Sequence, residues 1–173
     1  MGDTLVTGVK NRYNIHSRYC RPSRAGKRSW KKMVTALGHI ALRTKDIEET
    51  ARFYREVMGF PEAFRMHDDN GNTTTIYMYV SRSQFLELFP GGNTPDVHTP
   101  ETIGYCHVCF EVDSLEEAYR TLKERGAPID REPKTGFSKC LQFWTHDPDG
   151  NSIEIMQLPP ESLQAQANAR LAK

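Results

Sequence analysis

The chain has 173 residues, of which 38% are hydrophobic and 26% are charged, and its formal net charge at pH 7 is +1. This length is enough for one domain with a buried core, and the nearly neutral charge gives no general preference for nucleic acid or for a membrane surface. No apolar run approaches the ~20 residues that a membrane span needs, and the N-terminus lacks the apolar stretch of a secretory signal, so we expect a cytoplasmic protein that binds neither membrane nor nucleic acid.

The first 33 residues differ from the rest of the chain in charge. Residues 1–33 contain nine Lys or Arg and one acidic residue, which gives +8, whereas the remainder gives −7. They show no convincing period of 2 or 3.6 residues. We predict a disordered basic extension over residues 1–33, or a start codon assigned too early, with Met33 as the true start. A transit peptide and a basic arm for anionic surfaces are the alternatives.

The next part of the sequence predicts a strand, a helix and further strands. The opening strand covers residues 38–43. Asp46 and Glu49 form a capping box that begins a helix, and Gly59 ends it. Beyond the helix the sequence predicts a hairpin turn over residues 69–72, followed by a strand over residues 74–80 and another over residues 84–89.

A linker rich in Gly, Pro, Asn and Asp, residues 91–100, leads to a second part that predicts the same order of elements. A strand is expected over residues 105–112. Ser114 and Glu117 form the second capping box, and Gly126 ends that helix. The sequence then predicts a strand over residues 140–145, a tight turn over residues 147–150 and a last strand over residues 152–158. The tail, residues 159–173, includes a short polar helix.

The two parts copy each other at a shift of 68 residues, which becomes 67 in the later strands. His39 precedes Glu87 by 48 residues, and His107 precedes Glu154 by 47 residues. A repeat of this length indicates one supersecondary unit that is used twice. In both copies the His and the Glu lie on the strand face opposite the core residues, so we expect four side chains to line one shared concavity.

Two imidazoles and two carboxylates are the ligand set of a borderline divalent metal ion. A buried carboxylate is costly unless it is paired or bound to a metal, and the placement occurs twice in register. We predict one divalent ion per site: Ni, Zn, Co, Fe or Mn. Four protein ligands leave two positions for a substrate that chelates through two oxygens, which favours Lewis-acid stabilisation of an enediolate. One of the carboxylates can also serve as the base.

The Cys106-x-x-Cys109 spacing also invites a metal or redox interpretation. Residues three apart on a strand point to opposite faces, so these two thiols could not share an ion there. We interpret both cysteines as structural, with Cys109 on the same face as His107.

Several segments resemble the vicinal oxygen chelate superfamily, and most closely glyoxalase I. The matching residues are 38–43, 53–54, 58–60, 86–88, 104–108 and 147–154. The resemblance covers about residues 34–158 and implies an α+β fold, in which two paired βαβββ modules, about 34–92 and 101–158, form an open, cup-like mixed sheet around a metal. It implies the metal ligands His39, Glu87, His107 and Glu154, with Glu154 as the catalytic base.

The resemblance also implies substrate-binding residues. Arg43, four residues after the first ligand, matches an arginine that helps to bind a glutathione carboxylate. Gly91 stands where the family has an asparagine, and Asn93 lies two residues further on. Lys134 or Lys139 is the candidate for the other carboxylate.

The expected function is that of a metal-dependent lyase or isomerase that transfers a proton through a metal-bound enediolate of a small molecule, and the expected assembly is a homodimer. The default substrate is the glutathione–methylglyoxal hemithioacetal. The alternatives are an epimerase of the methylmalonyl-CoA type, an extradiol dioxygenase with an iron triad of His39, His107 and Glu154, and a metal-free binder such as a bleomycin-resistance protein. Whether the modules pair within one chain or across a dimer is left open by the sequence.

Overall fold

Each copy of the sequence repeat folds into a four-stranded mixed sheet. The structure is a computed structural model that describes residues 33–95, 99 and 101–171. The first sheet has the order β1-β4-β3-β2 and the second β5-β8-β7-β6. The strands of the first are β1 His39–Arg43, β2 Glu62–His67, β3 Thr73–Ser81 and β4 Gln84–Phe89, and those of the second are β5 Val108–Glu111, β6 Arg131–Thr135, β7 Leu141–His146 and β8 Ser152–Gln157.

The two sheets repeat the same pairing as well as the same order. The first strand of each copy pairs in parallel with the fourth, and the remaining neighbours are antiparallel. Neither sheet closes on itself. The predicted α+β class with two copies of one unit is therefore confirmed. The predicted basic extension of residues 1–33 lies outside the described residues, apart from Met33.

The first two helices begin directly after the predicted capping residues, Asp46 and Ser114. The helices are α1 Ile47–Arg52, which continues as a π-helical turn over Phe53–Val57, α2 Leu115–Glu124 and α3 Leu163–Leu171. The Asp46 carboxylate accepts from the Glu48 and Glu49 amides at 3.0 and 3.1 Å. The Ser114 hydroxyl accepts from the Glu117 amide at 3.3 Å. Such caps contribute about 1 kcal/mol each. Within the described residues, no helix combines the length and the apolar character needed to span a bilayer.

Alternation along the strands separates a helix-covered face from an open face. Leu86 and Leu88 of β4 are buried in the hydrophobic core, as are Ile153 and Ile155 of β8. Other core residues come from both copies: Ala51, Tyr54, Ile76, Met78, Leu115, Leu122 and Phe143. Because neighbouring residues of a strand point to opposite faces, the residues between these pairs lie on the open faces of the sheets.

A buried polar network joins α1 and its π-helical turn to the turn before β8. The Tyr54 hydroxyl donates to Asp147 Oδ2 at 3.0 Å, and both residues are fully buried. Asp147 also accepts from the backbone amides of Asp149 and Asn151 at 3.1 and 2.9 Å. Burial raises the pKa of the Asp147 carboxyl above its ordinary value. The carboxylate therefore depends on these donors, and the network fixes helix and turn in one arrangement.

The strand expected over residues 105–112 is shorter than predicted. β5 begins only at Val108, so His107 directly precedes the strand. The cause is its parallel partner: Val108 pairs with Ile153, and β8 itself begins one residue earlier, directly after the tight turn. The residues before His107 therefore have no strand left to pair with, and Tyr105 is exposed.

We predict that Tyr54→Phe destabilises the fold by about 1–3 kcal/mol, because it leaves the buried Asp147 carboxylate without one of its donors. The measurement is urea unfolding of the full chain. Tyr79→Phe, which alters a tyrosine that is 39% exposed, is the matched control. A Tyr54→Phe effect below about 0.5 kcal/mol, which is the range of neutral surface substitutions, would contradict a structural role for the network.

Candidate metal centre

The open face of the first sheet carries a His–Glu pair. His39 Nε2 lies 3.1 Å from Glu87 Oε2. The other oxygen, Glu87 Oε1, accepts from the Tyr77 hydroxyl at 2.5 Å. Glu87 is only 9% exposed, whereas the His39 side chain is about half exposed. The hydrogen bond to Glu87, together with burial and the carboxylate charge, raises the pKa of Tyr77. Tyr77 therefore stays protonated and acts as the donor.

The second sheet carries an equivalent pair with a different donor. His107 Nε2 lies 3.1 Å from Glu154 Oε2, and Glu154 is also 9% exposed. In the amide orientation that satisfies all groups, the Gln142 nitrogen donates to Glu154 Oε1 at 3.0 Å, and its oxygen accepts from Trp144 Nε1 at 3.2 Å. Cys109 adjoins the carboxylate as well: burial, the Glu154 charge and a hydrogen bond to Glu154 raise the pKa of this thiol to about 12. This keeps the thiol protonated at neutral pH.

The geometry of each pair suits a metal ion. Metal–nitrogen and metal–oxygen bonds of a first-row divalent ion such as zinc are about 2.0–2.2 Å long, so two ligand atoms at right angles around one ion lie about 3.0 Å apart. The observed separation between imidazole nitrogen and carboxylate oxygen is 3.1 Å in both pairs. Each pair therefore fits two neighbouring positions of one coordination shell.

The four predicted ligands form two pairs rather than one cluster within the chain. Over residues 33–95, 99 and 101–171, no group of three or more His, Cys, Asp or Glu side chains is arranged to hold a metal ion. A cavity of about 70 Å³ lies beside His39, between β1, β4 and β5. It is well below the roughly 300–1,000 Å³ of ordinary ligand pockets. The described part of the chain thus provides two separate His–Glu pairs and, at this position, no room for a substrate.

The predicted substrate-binding residues are placed as follows. Arg43 shares the open face with His39, but its Nη1 donates to the Pro90 carbonyl at 2.8 Å. Asn93 is exposed beyond β4, where its side-chain oxygen accepts from Thr94. Lys134 is exposed on β6, opposite Gln142 in the pairing with β7. None of these contacts tests a role toward a substrate, and the three assignments remain predictions.

Sequence reasoning missed the groups around the two carboxylates. Tyr77, which donates to Glu87, precedes it by 10 residues. Trp144, which donates to Gln142, stands at the same distance before Glu154. The registers agree, since Tyr77 pairs with Glu87 and Trp144 with Glu154. An aromatic residue at one spacing before each ligand was therefore a usable signal. Gln142 offered no such signal, because the repeat places a threonine, Thr75, at its equivalent position.

Comparison with known proteins identifies the family. Residues 36–155 match the model of the glyoxalase/bleomycin resistance protein/dioxygenase superfamily. The solved structure of a glyoxalase family protein from Enterococcus faecalis superposes with a TM-score of 0.61 at 25% identity, over 70% of this chain and 96% of that one. This chain belongs to that superfamily, which is also called the vicinal oxygen chelate superfamily.

Two curated relatives carry different activities in their names. A lactoylglutathione lyase of Schizosaccharomyces pombe is 28% identical over 141 residues, which cover 69% of this chain and 46% of that protein. An ethylmalonyl-CoA/methylmalonyl-CoA epimerase of Cereibacter sphaeroides is 26% identical over 134 residues, which cover 73% of this chain and 100% of that protein. At these identities the superfamily is shown and the individual reaction is not.

Proposed function

We propose that this protein is a metal-dependent lyase or isomerase that moves a proton at a carbon next to a carbonyl. His39, Glu87, His107 and Glu154 hold the metal ion in this proposal. The supporting observation is the matched pair geometry: both repeats set an imidazole nitrogen 3.1 Å from a carboxylate oxygen on the open face of a sheet. A coincidental ion pair would have had to arise twice, at equivalent positions of two modules.

A second copy of the chain completes the site in this proposal. The two His–Glu pairs do not converge within the described part of the chain. The segments leading into β1 and β5 expose large apolar side chains: Leu37 is 58% exposed before β1, and Ile103 and Tyr105 are 96% and 97% exposed before β5. Exposed apolar side chains of this kind are surfaces that a partner covers. A homodimer would bring the first module of one copy to the second module of the other.

The chain's own residues provide the proton transfer. A divalent ion held by the four ligands would supply Lewis-acid polarisation of a substrate carbonyl. Glu154 takes the proton from the neighbouring carbon, and the electron pair of the C–H bond moves into an enediolate. Glu154 then returns the proton to the adjacent carbon while the hydroxyl proton moves from one oxygen to the other, which gives an isomer. An epimer forms instead when the same carbon receives a proton from a second acid on its opposite face.

The default substrate is the hemithioacetal of glutathione and methylglyoxal. The lactoylglutathione lyase among the relatives supports this choice. Arg43 and Lys134 lie on the open faces of the two sheets and are the proposed partners of the glutathione carboxylates, with Asn93 beside them. Epimerisation of a 2-substituted acyl thioester is the second candidate, because the epimerase relative is matched over its whole length.

We predict that His39→Ala and His107→Ala each abolish stoichiometric metal binding. In a shared four-ligand site, the loss of one imidazole weakens the binding of the same single ion, whichever half-site it comes from. The measurement is metal content by elemental analysis after equilibration with Ni²⁺ or Zn²⁺ and gel filtration. His67→Ala, at an exposed histidine of β2, is the control. Retention of half the metal in each variant would instead indicate two independent two-ligand sites.

We predict that Glu154→Gln slows proton transfer by at least about 10²-fold, because general-base catalysis typically contributes 10²–10⁴. The measurement is incorporation of deuterium from solvent into the substrate C–H position, followed by NMR. Glu116→Gln, at an exposed carboxylate of α2, should exchange at the wild-type rate.

The choice of substrate separates the candidate reactions. Net conversion of the hemithioacetal would identify a glyoxalase reaction, and exchange on a 2-substituted acyl thioester without conversion of the hemithioacetal would identify an epimerase. Oxygen consumption with a catechol, together with no exchange on any carbonyl substrate, would reject proton transfer in favour of the dioxygenase.

A further inference from the structure

The two carboxylates of the half-sites differ in the group that holds their second oxygen. Oε1 of Glu87 accepts from a phenol, the Tyr77 hydroxyl, at 2.5 Å. Oε1 of Glu154 accepts from an amide, the Gln142 nitrogen, at 3.0 Å. In both cases Oε2 is the oxygen that faces the imidazole. The repeat thus keeps the geometry of the ligands and changes the donor behind them.

The phenol holds Glu87 through a short hydrogen bond. Both donors meet a carboxylate, so both bonds are charge-assisted. The O–H···O⁻ bond of 2.5 Å to Glu87 lies at the short end of that class, whereas the amide bond of 3.0 Å to Glu154 has the ordinary length of an N–H···O contact. Tyr77 therefore fixes the position of Glu87 Oε1.

The surroundings of the donors add to this difference. The Tyr77 ring stacks on Phe64 with 4.4 Å between ring centroids, and it meets Phe85 and His39 edge to face at 6.0 and 6.1 Å. Three rings thus fix the direction of its hydroxyl before any metal binds. Gln142 has a flexible side chain whose amide oxygen is held by one donor, Trp144 Nε1. The centroid of the Trp144 ring in turn lies 4.7 Å from the centroid of the His107 ring.

We propose that Tyr77 is a positioning residue that occupies Oε1 of Glu87 and so fixes this carboxylate as a metal ligand through Oε2 only. This assignment rests on the proposed function, since it assumes a metal bound by Glu87. The hydrogen-bond partners of ligands typically change metal affinity 10–100-fold.

The test is metal binding by Tyr77→Phe, measured without substrate. This variant keeps the ring and removes the hydroxyl, and we expect its affinity for Co²⁺ to fall about 10–100-fold. We also expect a weaker visible absorption band of bound Co²⁺, because a released Glu87 can bind through both oxygens and raise the coordination number. Tyr79→Phe is the matched control: it removes the hydroxyl of the next tyrosine on the same face of β3, whose ring contacts Phe85.

Equal affinity and equal spectra for Tyr77→Phe and Tyr79→Phe would overturn the inference and leave the proposed function intact. A wild-type protein that binds no metal would overturn both.

Discussion

Glu87 and Glu154 each lie between two core residues of the same strand, and this constraint determines the rest of the site. Leu86 and Leu88 on one strand, and Ile153 and Ile155 on the other, are buried in the hydrophobic core. Burial of a Leu or Ile side chain is worth about 1.5–3 kcal/mol, so a shift of register that exposed them would be strongly unfavourable. The carboxylates must therefore point to the open faces, and the parallel pairing with β1 and β5 brings an imidazole to each.

As a consequence, each chain carries two His–Glu pairs. The carboxylate of each pair has a partner for both of its oxygens, but one pair alone provides only two metal ligands. Each carboxylate is nearly buried and satisfied by an imidazole on one oxygen and a hydrogen-bond donor on the other. The protein thus provides the buried charge with partners before any metal is bound. Convergence of the two half-sites on one ion and one substrate then depends on how modules associate, which connects the proposed catalytic function to assembly.

Features with a local physical cause were predictable from the sequence. Asp46 and Ser114 are caps because their side chains accept from backbone amides within three residues, and β4 was placed over residues 84–89 as the structure has it. The edge strands β2 and β6 were not placed by the sequence, because they are largely exposed and show no alternation of burial. The predicted start of β5 at residue 105 was also wrong, because the start of this strand depends on where its partner strand β8 begins. The repeat predicted each His–Glu pair, but the separation of the pairs is a property of the tertiary arrangement, which residue spacing does not record.

The central claim is that two copies of the chain share each metal site, and a mixed dimer tests it directly. Chains carrying His39→Ala and chains carrying His107→Ala are given different affinity tags, refolded together and purified as the heterodimer. If each site combines the first module of one chain with the second module of the other, one site loses both histidines and the other is fully wild type. The account then predicts about one ion per heterodimer, against two per wild-type dimer. A purified heterodimer without metal, or a protein that forms no dimer at all, would contradict the shared site.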